Sequence, residues 1–258
     1  MVPIATELKV MTYNIRYANP ADGPDAWHKR REALIAVIKK YDPDILGIQE
    51  GLASQMDDLR QALRTHAVVG VGRDDGLRKG EYSAIFYRRE RLGLREGGTR
   101  WISDQPNVPG SKGPETSLPR IFSWGEFFLA EGGRLLVVNA HLDHQSAPAR
   151  LMGAQQMRAF VESRGNIPAL VTGDFNCSFG DAPISHLAER LTALRPANGP
   201  LGTFNGFKPD AVNGTMIDFI FASPHWETVG IEIDRTLTAD NRTPSDHFPV
   251  IATLRLRP

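Results

Sequence analysis

The run Ala169-Leu170-Val171-Thr172-Gly173-Asp174-Phe175-Asn176 decides the fold. Its first four residues are short, apolar and β-rich, the mark of a buried strand. The strand ends at Gly173-Asp174, where a carboxylate and then an amide follow at once. The same grammar recurs on both sides of it. Residues 8–13 read as a strand ending at Asn14, and residues 45–48 as a strand ending at Gln49-Glu50. Residues 135–139 run on to His141, and Asp218 lies inside the apolar run 216–222. Asp246-His247 immediately precede a last strand over 249–256. Further strands are predicted over 83–87, 121–129 and 228–234. Alternation through Phe122, Trp124 and Phe127 suits an antiparallel partner.

Helices interleave with these strands. Trp27, Leu34, Ile35 and Ile38 recur at helical spacing over 25–40, and Asp42-Pro43 ends the run. Met56, Leu59 and Leu63 mark a helix over 55–66, and residues 149–163 read as another. No linker or internal repeat interrupts them. One α/β domain over residues 1–258 is predicted, with mixed sheets. Residues 103–119 form a long irregular stretch rich in Pro, Gly and Ser, and such loops are more often functional than idle.

Composition narrows the function. The 258 residues hold 30 Lys+Arg and 30 Asp+Glu, so no global basic field draws the chain to nucleic acid. The single cysteine, Cys177, excludes an internal disulfide and a Cys-based zinc site. It reads as a buried thiol, not a nucleophile. No apolar run approaches the roughly 20 residues of a membrane span. Residues 1–6 have neither a basic region nor a long apolar one, so no signal peptide is expected in the chain as given. That makes it cytoplasmic as written, and its abrupt start is equally compatible with a trimmed leader.

Acids inside or beside apolar runs are costly unless paired or bound to a cation. So many acids, amides and imidazoles at strand ends imply convergence on one sheet edge. Oxygen ligands without cysteine suit a hard cation, magnesium first and manganese as the alternative. Glu50, Asn14 and Asp246 are the candidate ligands. Two histidines and a spare carboxylate then remain for proton handling, a set that fits phosphoryl transfer to water.

The chain resembles the endonuclease/exonuclease/phosphatase (DNase I-like) superfamily. The resemblance rests on Thr12-Tyr13-Asn14-Ile15-Arg16, Ile48-Gln49-Glu50, Asn139-Ala140-His141-Leu142, Gly173-Asp174-Phe175-Asn176, Ile217-Asp218-Phe219-Ile220 and Ser245-Asp246-His247-Phe248-Pro249-Val250. Each is weak alone, but the six in order are specific. Asp25 to Arg31, Gly80 to Tyr87, Pro119-Arg120-Ile121 and Thr203 to Phe207 look further like bacterial metal-dependent hydrolases near the deadenylase and nocturnin-like branch. The implied fold is a four-layer α/β sandwich, two mixed sheets face to face with helices outside.

The resemblance also implies roles. Glu50 is the main metal ligand, with Asn14 and Asp246 beside it. Asp174 orients or deprotonates the attacking water, and Asn176 donates to nucleophile or phosphate. His247 stands on the scissile phosphate with Asp218 holding its ring, and His141 stabilises charge or assists the leaving group. Arg120 is a candidate phosphate clamp, since guanidinium binds phosphate bidentately. Tyr82, His144, Asn205 and Phe207 are candidate substrate contacts, and Phe204 shares the stacking role with Phe207. Arg16 stands where repair nucleases carry an acid, which argues against their second metal site. His28-Lys29-Arg30-Arg31 reads as a solvated helix face and Trp101 as packing under the long loop.

The expected activity is magnesium-dependent phosphodiester hydrolysis on a small or lipid-like substrate, by in-line attack of an activated water. The alternative is a nuclease on single-stranded RNA or DNA, with Arg73, Arg78 and Lys79 lining a cleft. A phosphomonoesterase on sugar or inositol phosphates ranks third and a non-catalytic module last. A monomer is expected.

Overall fold

The computed structural model describes residues 6–257; residues 1–5, where most of the leader reading falls, lie outside them. Two mixed six-stranded sheets stack face to face. In the first, β11 (Trp226–Ile233), β12 (Val250–Leu256), β1 (Glu7–Asn14), β2 (Ile45–Gly51), β4 (Tyr82–Arg88) and β3 (His66–Val69) lie in that order. In the second the order is β5 (Leu92–Trp101), β6 (Ile121–Leu129), β7 (Arg134–His141), β8 (Ala169–Asp174), β10 (Asp218–Ala222) and β9 (Thr192–Ala193). The parallel pairs, β1 with β2 and β7 with β8, are each joined by a crossover through a helix, α1 (Trp27–Tyr41) or α3 (Ala147–Ser163). Helices α1 and α2 (Ala53–Ala62) pack on the first sheet, and α3 and α4 (Ala182–Ala188) belong to the second.

Alternation assigns each strand's two faces. On β4, Tyr82, Ala84 and Phe86 join Leu34, Ile38, Met56 and Leu59 in the core under α1 and α2. Ile85 and Tyr87 point the other way, into the core shared with the second sheet. On β1, Met11 and Tyr13 face the helices and Leu8 and Val10 face the opposite sheet. Residues of like parity, Thr12 and Asn14, therefore point between the sheets.

A buried polar ladder crosses that gap. Asn139 Nδ2 on β7 donates to Ile48 O and to Ala84 O, both at 2.9 Å. Its Oδ1 accepts from Gln49 Nε2 at 2.7 Å and from Thr172 Oγ1 at 3.0 Å. Gln49 Nε2 also donates to Thr12 Oγ1 at 3.0 Å. Gly47 leaves room for this network, because a Cβ there would stand 2.4 Å from Thr172 Oγ1. A fully satisfied buried amide stabilises modestly but fixes one arrangement.

The elements depart from the sequence reading in places. The helix predicted over 55–66 ends at Ala62; Leu63 leaves helical geometry and His66 opens edge strand β3. Strand β5 was unforeseen because Gly93, Gly97 and Gly98 dilute its apolar signal, and α4 and β9 are too short to announce themselves. Arg30 is not on a solvated face. It is buried, and its guanidinium donates to the carbonyls of Ile15, Arg16, Asp25 and Pro244, tying α1 to the loops beside β1 and β12. His28 and Lys29 are exposed as expected. Trp101 is buried and donates Nε1–H to Arg73 O at 2.6 Å. Residues 103–119 carry no helix or strand. No helix among the described residues is long and apolar enough to cross a membrane.

Two outcomes are expected for stability. Asn139→Leu takes the side-chain donor from the Ile48 and Ala84 carbonyls and one of two partners each from Gln49 and Thr172, and is expected to cost about 3 kcal/mol or more in a urea titration. A loss within error of zero contradicts the ladder's role. The second concerns Asp234 at the end of β11. Burial pushes its carboxyl up, but bonds from Lys40 Nζ (2.5 Å), the Thr236 backbone and Tyr41 OH (2.8 Å) hold it below the usual range. A depressed carboxyl contributes stability above the unfolded value of about 3.9 and loses it as pH falls through the folded one. Asp234→Asn is expected to lower stability at pH 7 by about 1–3 kcal/mol, with the gap to the unsubstituted protein closing toward pH 3. A gap independent of pH contradicts this.

Candidate active site

The strand ends that carry polar residues open into one cavity of about 540 Å³ at the edge of both sheets. The ladder residues set its walls through period two. Thr12 leads to Asn14, Asn139 to His141 and Thr172 to Asp174, each two residues on and on the same face. Glu50 needs a different device. Simple alternation after Gln49 would turn it toward the helices. The β2–β4 register shifts between Ile48 and Gly51, and Glu50 takes a left-handed φ of 65°. This irregularity re-aims the side chain into the cavity, as bulges beside active sites do.

Asn14 bridges two acids. Its Nδ2 donates to Glu50 Oε1 at 3.0 Å and to Asp174 Oδ2 at 2.9 Å. Its own Oδ1 accepts from the Arg16 backbone at 3.0 Å. Asn14 thereby sets the spacing of Glu50 and Asp174, and its Oδ1 keeps a second lone pair beside the acids. Glu50 Oε2 accepts from the Tyr17 backbone at 3.1 Å. Asp246 is buried, with Arg16 Nε 3.9 Å from Oδ2 and Ser245 Oγ 3.4 Å from Oδ1. Burial raises its affinity for a proton, opposed by His247 and reinforced by Glu50.

Two histidines flank Asp174 in opposite states. His247 Nδ1 lies 2.8 Å from Asp218 Oδ2, and its Nε2 lies 3.7 Å from Asp174 Oδ2. Burial disfavours the charged ring, but Asp218, Asp174 and Asp246 together outweigh it and hold the imidazolium well above the ordinary histidine range. His141 is driven the other way, by burial first and then by Arg120 and Arg73, and is neutral. Asn176 Nδ2 stands 3.0 Å from His141 Nε2 and 3.0 Å from Leu142 O. As donor to that ring nitrogen, it leaves the proton on Nδ1. That Nδ1 is buried without a partner, 3.8 Å from Glu81 Oε2. Asp174 is pushed up to about 7, by burial first and then by Asp218.

Arg120 is almost wholly buried. Nε donates to Asp143 Oδ2 at 3.1 Å and Nη2 to His144 Nδ1 at 2.8 Å, while Nη1 has no partner. Asp143 also accepts from the backbone of Gln145 and Ser146. Burial raises this carboxyl, yet the donors hold it below the usual range, so it is a fixed anion under Arg120. Arg16 closes the opposite side, paired through two nitrogens with Asp22 at 3.0 and 3.1 Å. Leu118 and Phe204 are exposed and also line the cavity; Phe204 meets the His247 ring edge-on at 5.1 Å.

The remaining sequence candidates lie elsewhere. Tyr82 faces the helix-side core and gives its hydroxyl to Leu77 O, so it is not a lining residue. Asn205 is buried and holds the loop before β12 through Ser245 O and Thr243 Oγ1. Phe207 turns away and faces the Arg30 guanidinium at 5.6 Å. Glu81 is the residue that sequence reasoning missed. It stands one position before Tyr82, and the period of two that buries Tyr82 under the helices sends Glu81 between the sheets. Cys177 is buried, and desolvation pushes its thiol up to about 12, which suits an inert side chain.

The donor set fits a hard divalent cation. Glu50, His141 and Asp174 place ligand atoms within 4.8 Å of one another, as do Asp174, Asp218 and His247. The second group already holds its own cation, the His247 imidazolium. The first, with loosely paired Asp246 nearby, has carboxylate oxygens in excess, and magnesium needs one or two such ligands. Asp218→Asn is expected to lower the His247 ring pKa by at least about one unit in metal-free protein, followed by NMR titration. An unchanged value means the pair does not hold the charge.

A family model described as the endonuclease/exonuclease/phosphatase family matches residues 11–247. Among solved structures, a Bacteroides thetaiotaomicron endonuclease/exonuclease/phosphatase family protein is 36% identical, covering 98% of this chain and 99% of its own, with a TM-score of 0.93. A mannosyl-6-phosphatase from the same organism is 37% identical, covering 96% and 99%, with a TM-score of 0.89. The human nocturnin catalytic domain, solved with bound sulfate, shares the fold at 17% identity over 99% and 96%, with a TM-score of 0.75. No curated protein matches the chain.

Proposed function

The chain belongs to the endonuclease/exonuclease/phosphatase family, and from that premise we propose that it is a divalent-metal-dependent phosphomonoesterase acting on a small phosphorylated sugar or polyol. One observation carries this reading. Three cationic groups, Arg16, Arg120 and the His247 imidazolium, face a single cavity of about 540 Å³ whose exposed rim residues include Leu118 and Phe204. Once a cation takes up Glu50 and Asp246, these three groups suit a monoester dianion better than a diester monoanion. The 37% identical mannosyl-6-phosphatase supports the same choice. This reverses the order expected from sequence, where the diester stood first. The nuclease reading loses its basic track. Arg73 is buried in a two-nitrogen pair with Glu81 at 2.6 and 2.9 Å, and Arg78 is paired with Asp57 at 2.6 Å.

Glu50 would hold the cation, magnesium or manganese, with Asp246 beside it. When bound, that ion polarises a phosphoryl oxygen and offsets charge that develops on phosphorus. Asp174 takes the proton of the attacking water; a carboxylate pushed up to about 7 is basic enough to do so near neutrality. Asn14 and the Asn176 backbone, each 2.9 Å from an Asp174 oxygen, hold it in place. His247 presents a charged Nε2–H to the phosphoryl oxygens, oriented from behind by Asp218 as in other acid–histidine pairs. The neutral His141 and the Arg120 guanidinium line the same cavity and position its wall, with their unpartnered nitrogens, Nδ1 and Nη1, buried behind its surface.

The test is hydrolysis of p-nitrophenyl phosphate and bis-p-nitrophenyl phosphate with magnesium and with EDTA. Monoester turnover is expected to exceed diester turnover and to need the metal. Glu50→Gln is expected to cut it about a thousandfold at unchanged melting temperature. Faster diester cleavage overturns the substrate class, and full activity in Glu50→Gln overturns the metal assignment.

A further inference from the structure

The catalytic cavity carries two exposed apolar side chains from different loops, Leu118 at 38% and Phe204 at 51% exposure. One exposed apolar residue needs no explanation, but two on a cavity whose other walls are charged call for one. Phe204 is also held firmly. Its backbone forms a bridge with His247. Its neighbours Thr203 and Asn205 are buried. Thr203 O accepts from Phe248 N at 2.7 Å, and Asp246 O accepts from Asn205 N at 2.7 Å and from Gly206 N at 3.0 Å. Thr203 Oγ1 accepts from the backbone of Ile217 and Asp218. The Phe204 ring meets His247 edge-on and lies over Gly206, where a Cβ would stand 3.5 Å from Phe204 Cζ. An aromatic ring on so fixed a backbone, with only two side-chain torsions, is largely ordered before any ligand arrives.

His144 supplies a polar counterpart. Its Nδ1 accepts from Arg120 Nη2, a group that can only donate, so the ring proton stands on Nε2. His144 is exposed and lines the same cavity. A leaving group that matches these walls has an apolar C–H face and hydroxyls around its edge. The pyranose ring of a hexose has both. An open-chain polyol carries the hydroxyls but has no fixed face to lay on an aromatic ring.

Resting on the phosphomonoesterase reading, we propose that Phe204 is the specificity-determining residue of the leaving-group site. Its ring stacks on the C–H face of a pyranose, with Leu118 at the rim and His144 Nε2–H donating to a ring hydroxyl. The site thereby selects cyclic hexose phosphates over open-chain polyol phosphates. Phe204 stands beside His247, which takes the phosphoryl oxygens, so the sugar ring and the phosphate occupy neighbouring places. A hexose 6-phosphate, with one methylene between the two, has that arrangement.

The test is to measure kcat and KM with magnesium on mannose 6-phosphate and on mannitol 1-phosphate, its open-chain counterpart. The unsubstituted protein is expected to favour the cyclic ester about tenfold in kcat/KM, chiefly through KM. Phe204→Ala is expected to bring that ratio close to one, and Phe204→Tyr to keep it. The two esters share the phosphate and the metal, so any disturbance of His247 in the alanine variant lowers both and leaves the ratio to report the platform alone. A ratio near one in the unsubstituted protein overturns this inference while monoester hydrolysis stands, as does a preference that survives Phe204→Ala or disappears in Phe204→Tyr. No hydrolysis of either ester by metal-loaded protein overturns the phosphomonoesterase reading and this inference together.

Discussion

The Asn139 amide, satisfied on both its nitrogen and its oxygen in the gap between the sheets, is the interaction on which the rest depends. Two apolar sheet faces can slide over one another at little cost, since hydrophobic burial is not directional. A buried amide cannot, because displacement strands several polar groups at once. Gly47 makes the close approach possible, and Gln49, Thr12 and Thr172 complete the network. The residues one step further along the same strand faces are Asn14, His141 and Asp174. Inter-sheet registry and the geometry of the cavity are thus one property of the molecule.

That registry brings Glu50, Asp174, Asp218 and Asp246 into one small volume, which is electrostatically unfavourable. The protein resolves part of the strain itself. Asp218 keeps His247 charged, Asn14 separates Glu50 from Asp174, and Arg16 approaches Asp246. The excess on the Glu50 side is what suits the residues there to a hard cation. The two histidines then differ by their neighbours, one surrounded by carboxylates and the other pressed by Arg120 and Arg73. One cavity holds a proton acceptor, a cationic donor and a neutral imidazole without any unusual side chain.

Much of this was legible in the residue order. Strand ends at Asn14, His141 and Asp174 follow from short apolar runs broken by a polar residue, and the six family-like stretches tie them to one edge. What escaped has physical reasons. Tyr82 reads as a substrate contact, while alternation into β4 turns it under the helices and sends its neighbour Glu81 to the cavity. Glu50 reaches the site through an irregular register and a left-handed backbone, which no period in the sequence announces. Arg30 reads as surface charge in a run of four polar residues, and only the packing of α1 against two loops gives it four carbonyls to bind. Phe204 and Phe207 are alike in sequence, and the turn between them, with Gly206 at φ 57°, sends one to the cavity and the other to Arg30.

This constellation is proposed to drive water onto the phosphorus of a small phosphate monoester. Hydrolysis of mannose 6-phosphate in ¹⁸O-labelled water with magnesium, followed by ³¹P NMR of the released phosphate, tests it most directly. One ¹⁸O is expected in the inorganic phosphate from each turnover and none in the sugar. Label in the sugar, or no phosphate released from any sugar phosphate by metal-loaded protein, contradicts it.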